Sequence, residues 1–121
     1  MIDKEEIIRK QNEAIIKLSI LMMIADRDIH DEEYKSVIEI IDKHSMYEVT
    51  EEHISDLVSE ISFKREQMGL YEISSELIST LKSNKLRIQA LEYLEDIMNR
   101  DNFIHEQELK FFNHIKESWN I

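Results

Sequence analysis

Apolar residues recur along this chain at the three- and four-residue spacing of a helix, and the polar residues between them carry helix start signals. Asp3 with Glu6 makes a capping box, Ile2 and Ile7 stand at the spacing of a hydrophobic staple, and the pattern predicts a first helix over 4–25. Its second half, Ala14 to Ala25, holds ten apolar residues in twelve, interrupted by Lys17 and Ser19. A bilayer span needs roughly 20 apolar residues in a row, so this stretch reads instead as a helix buried on most sides. A second helix starts near His30, with Ile29 and Tyr34 as staple and Tyr34, Val37, Ile38 and Ile41 as one face, and ends around Ser45. Thr50 caps a third, stapled by Val49 and Ile54, with Ile54, Leu57, Val58 and Ile61 as its stripe. Gly69 is expected to end it in the left-handed conformation. A shorter helix over 70–82 turns Ile73, Leu77, Ile78 and Leu81 inward, and Ser83-Asn84 breaks and restarts the chain. The fifth helix faces inward with Leu91, Leu94, Ile97 and Met98, the sixth with Leu109, Phe112, Ile115 and Trp119.

Composition narrows this to one class. At 121 residues the chain has room for a single core, and no linker divides it, so 1–121 is read as one domain. One glycine and no proline supply too little turn chemistry for a sandwich or barrel, and no glycine-rich phosphate cradle. The absence of cysteine removes disulfides, thiolate zinc sites and a cysteine nucleophile. The expected fold is all-α, a single-domain bundle of about six helices. A formal net charge of −11 repels a phosphate backbone, so nucleic acid is not an expected partner. The acidic start Met-Ile-Asp-Lys-Glu-Glu lacks the basic region of a secretory signal, and the expected setting is cytoplasmic, without membrane insertion.

An internal repeat adds more. Residues 26–33 read Asp-Arg-Asp-Ile-His-Asp-Glu-Glu and residues 101–108 read Asp-Asn-Phe-Ile-His-Glu-Gln-Glu, 75 positions later. Asp26 matches Asp101, Ile29 matches Ile104, His30 matches His105 and Glu33 matches Glu108. Each copy follows an apolar helix and precedes an amphipathic one, which makes two related helix–loop–helix units. These residues resemble the TerB-like family, which includes the tellurite-resistance protein and the N-terminal domain of the co-chaperone DjlA. The family signature is Ala-Asp-Gly-x-Ile-x-x-x-Glu near each end of an all-helical domain. The first copy keeps Ala25, Asp26, Ile29 and Glu33, with Arg27 in place of glycine. The second keeps Asp101, Ile104 and Glu108, with Arg100 and Asn102 in place of alanine and glycine.

Two readings of the motif stay open. Ile29, His30 and Glu33 have the spacing of a staple plus capping box, and Ile104, His105 and Glu108 repeat it, so local helix capping accounts for these residue types. The other reading is a divalent cation, calcium or magnesium, because hard ions take oxygen ligands and five carboxylates stand within residues 26–33. An EF-hand is rejected: with Glu33 at its twelfth position, the first and third become Met22 and Ile24. An ion would be shared between the two copies, with Asp26, Asp28, Glu33, Asp101 and Glu108 as candidate ligands. The resemblance points the same way, since clustered acids in these loops are suspected ligands across the family. A zinc pair of His30 and His105 has neither spacing nor a His-x-x-x-His pattern behind it. His44, His53 and His114 show no partner in the sequence and read as surface or helix-end residues.

No nucleophile, base and oxyanion arrangement is visible, so no enzyme is expected. Met22, Met23, Met68 and Met98 read as core fillers, or as an adaptable docking surface where exposed. Phe111 and Tyr71 flank the predicted stripes and read as core, or as anchors for a protein partner where exposed. The resemblance implies a non-enzymatic accessory or scaffold protein of bacterial stress response, with a protein partner and a divalent cation at its acidic loops. The alternative is a metal-independent interaction adaptor.

Overall fold

The computed structural model describes residues 4–25, 31–44, 50–99 and 106–121, and of 31–33 the backbone alone. Six helices account for most of them: α1 Lys4–Met23, α2 Asp31–His44, α3 Glu51–Gln67, α4 Leu70–Thr80, α5 Asn84–Met98 and α6 Glu106–Ser118. Among the described residues there is no strand, and no helix is long and apolar enough to cross a membrane. The all-α expectation holds, with boundaries within about two residues of those read from the pattern.

The helix ends carry the internal repeat into the fold. Met23 ends α1 and Met98 ends α5; Asp31 begins α2 and Glu106 begins α6, and each pair is 75 residues apart. The two helix–loop–helix units are therefore α1–α2 and α5–α6, with α3 and α4 between them. The connecting residues 26–30 and 100–105 lie outside the described residues.

α1 is the axis of the bundle and touches all five other helices. From Ala14 to Ala25 every residue but Lys17 is buried, because neighbours close on it from several sides and no polar face is needed. Ser19 is tolerated there because its hydroxyl donates to the Ile15 carbonyl at 2.9 Å, which leaves no unsatisfied donor. Residues Lys4 to Lys10, in contrast, are all exposed. Lys17 is kept on the inner part of α1 by carboxylates on both sides, Glu13 at 3.4 Å and Glu60 of α3 at 3.6 Å.

α3 and α5 begin where local chemistry says they should. Thr50 accepts the His53 N–H and Ser83 accepts the Leu86 N–H, both at 3.1 Å, each satisfying one of the four orphan donors of a helix start. Met22, Met23 and Met98 are core; Met68 is exposed.

Two expectations are corrected. Gly69 does not end α3 in the left-handed conformation: it has φ −71° and ψ 155°, an extended backbone open to any residue, and it is the N-cap of α4. Met68 closes α3 instead, its N–H donating to the Lys64 carbonyl at 2.8 Å. α6 is also rotated from its predicted face. Glu108, Phe111, Ile115 and Trp119 are buried, while Leu109 is exposed and Phe112 half-buried. Phe111, at 0 % exposure, is core and no anchor for a partner; Tyr71 is exposed.

Candidate functional site

α2 begins at Asp31 and α6 at Glu106, so Glu33 and Glu108 are each the third residue of their helix. At that position a carboxylate faces the positive end of the helix dipole and the free N–H groups of the first turn. Glu108 is completely buried at 0 % exposure, which is unusual for a carboxylate, since removing it from water is costly without compensating hydrogen bonds. Asp26, Asp28 and Asp101, with His30 and His105, lie outside the described residues, as does the Glu33 side chain. The expected convergence of the two acidic loops therefore falls outside them too. Among the described residues no group of three or more His, Asp or Glu side chains converges as a metal site would require.

Packing brings together a second set of side chains that the sequence did not single out. His44, the last residue of α2, places Nε2 2.6 Å from Oδ2 of Asp96 on α5, and its ring lies 4.7 Å from that of Tyr93. Lys43 reaches the same carboxylate at 4.0 Å. Tyr93 is fully buried, its hydroxyl makes no hydrogen bond among the described residues, and desolvation pushes its ionisation up to about 12. His44 is thus at a helix end, as one of the two expected readings had it, but it bridges α2 and α5 where the sequence showed no partner. His114 is corrected likewise: it packs edge-on against Tyr71 at 4.5 Å. The His44 and Asp96 pair is 52 residues apart, and no local pattern marks it.

A groove of about 410 Å³ runs between α1 and α4, lined by Lys10, Glu13, Ala14, Lys17, Glu76, Leu77 and Thr80. Its walls carry both signs of charge at helical spacing, and Lys17 is already held by Glu13 and Glu60.

Comparison with known families adds one finding to this geometry. The model of the family described as tellurite resistance protein TerB matches residues 12–121, and the chain belongs to that family. No curated protein and no solved structure matches the chain significantly.

Proposed function

We propose that this protein is a non-enzymatic accessory or scaffold protein of bacterial stress response, of the tellurite-resistance kind, whose acidic loops take a divalent cation. The observation that carries the reading is the family match over residues 12–121. The cation part rests on the paired acids of the chain, Asp26, Asp28, Glu33, Asp101 and Glu108, and on the hard-ion preference for carboxylate oxygen. Glu108, one of these acids, is completely buried at the start of α6.

A metal-independent adaptor is the second reading, favoured by the position of the same Glu108 in the first turn of α6, where capping alone gives a carboxylate a role. Titration of the chain with calcium, magnesium and manganese, followed by calorimetry and NMR, separates the two. Saturable shifts in residues 26–33 and 101–108, lost on Asp26→Asn with Asp101→Asn while helicity is kept, support the cation. Spectra unchanged at millimolar ion leave the adaptor.

A further inference from the structure

The last turn of α4 has no cap of its own. Leu81, its C-cap residue, is extended at φ −87° and ψ 102°, and no basic residue stands in that turn. Among the described residues no backbone N–H from beyond Thr80 bonds back to it. Carbonyls at a helix end need partners, above all where water is excluded, and Ile78 and Leu81 are both buried. Their partners come from two other helices. Trp119, just past the end of α6, donates its indole N–H to the Ile78 carbonyl at 3.0 Å, and Arg87 in the first turn of α5 donates from Nε to the Leu81 carbonyl at 2.7 Å. The two donors also meet each other, with the Arg87 guanidinium 5.7 Å from the centre of the Trp119 ring.

The way α6 ends holds Trp119 in this position. The Asn120 N–H donates to the Glu117 carbonyl and the Ile121 N–H to the Lys116 carbonyl, both at 3.1 Å, and Asn120 is left-handed at φ 57°. This is a Schellman motif, which turns the chain back over the last turn of the helix. Asn120 and Ile121 are exposed while Trp119 is buried. Further back, Phe111 and His114 of α6 pack against Tyr71 in the first turn of α4, at 6.3 and 4.5 Å between rings. α6 therefore grips α4 at both ends, by aromatic packing at the start and by a hydrogen bond at the finish.

We propose that Trp119, Arg87 and the last turn of α4 form a clasp that opens and closes as one unit, below the free energy of global unfolding. When the end of α6 lifts away, the Ile78 carbonyl loses its donor and Arg87 loses the ring beside it, so the last turn of α4 frays in the same event. Opening bares Ile78, Leu81 and Trp119, while α1 stays packed against the remaining helices. Sub-global openings of this kind involve helix ends held by a few hydrogen bonds. The clasp goes beyond the function proposed above and uses no residue of the acidic loops.

Native-state hydrogen exchange on the full chain tests it. The amides of residues 77–80 and 119–121 should share one opening free energy and one urea dependence, both smaller than those of residues 18–22 in α1. Trp119→Phe, which keeps an aromatic ring and removes the indole donor, lowers protection of both sets by the same factor, about fivefold. The Ile54 amide at the start of α3, which frays independently, is unchanged. Asn120→Gly acts in the opposite direction, because glycine takes the left-handed conformation without the cost a side chain brings. It raises protection at 119–121 by about threefold and raises it equally at 77–80, to which residue 120 makes no backbone hydrogen bond. A gain of protection does not arise from a chain that fails to fold. Different urea dependences for the two sets, protection of both at the level of residues 18–22, a Trp119→Phe effect limited to 119–121, or an Asn120→Gly gain that stops there overturns the proposal.

Discussion

Tyr93 shows how much a single buried atom can decide. Its ring fills the core between α2 and α5, but its hydroxyl is enclosed without a hydrogen-bond partner among the described residues, so the oxygen contributes a desolvation penalty and nothing that offsets it. Tyr93→Phe should therefore leave stability unchanged or raise it by up to about 1 kcal/mol in urea unfolding, since a hydroxyl that gains no bond is removed without loss of packing. A clear destabilisation would mean that the hydroxyl has a partner. The same burial sets an alkaline limit. The phenol ionises near 10 when unfolded and at about 12 when folded, so the folded state holds its proton longer. The resulting stability is fully present below pH 10 and is lost as pH rises toward 12. Urea midpoints should fall over that range in the parent chain and fall less in Tyr93→Phe. Beside it, His44→Ala removes the 2.6 Å contact to Asp96 and the ring packing, at a cost of about 1–2 kcal/mol, because the carboxylate is part-exposed and water replaces some of the bond.

Among the helices, Gly69 is where a side chain would add most. It caps α4 with no side-chain hydrogen bond, its backbone is in a region open to every residue, and no atom lies within 4 Å of where a Cβ would stand. Gly69→Ser should raise stability by about 1 kcal/mol in thermal unfolding, by supplying a cap acceptor and stiffening the unfolded chain. No gain would mean that the serine hydroxyl prefers water to the α4 N–H groups. The contrast with Thr50 and Ser83 explains what the sequence could and could not disclose. Those caps are local, a hydroxyl and an N–H three residues on, and the sequence named Thr50 as a cap and Ser83-Asn84 as the pair that restarts the chain. The face of α6 is not local. Leu109, Phe112, Ile115 and Trp119 make one helical stripe; Phe111, Ile115 and Trp119 make another, rotated by one position, and only the neighbouring helices choose between them. A carboxylate at position 108 of the buried stripe argues against the true face for anyone reading polarity alone. The link from His44 to Asp96 was illegible for a simpler reason: it joins two helices far apart in the chain. Of the candidate metal ligands, the repeat was plain in the sequence and the helix starts at Asp31 and Glu106 agree with it, but Glu108 alone has a described side chain.

For the molecule as a whole, the formal charge of −11 works against compactness. Among the described residues several ion pairs are exposed contacts along one helix, such as Lys10 with Glu6 and Lys110 with Glu106, and pairs of that kind contribute little. Adding sodium chloride should therefore raise the unfolding temperature by screening the repulsion between carboxylates. A fall would show that the bridge from α1 to α3 through Lys17 outweighs that repulsion. Trp119 is the only indole in the chain and is shut between α4, α5 and α6, 5 % exposed. Its emission is thus a built-in gauge of whether the final helix is closed: a red shift ahead of the loss of helical circular dichroism would mark the carboxyl-terminal helix as the first part of the bundle to let go.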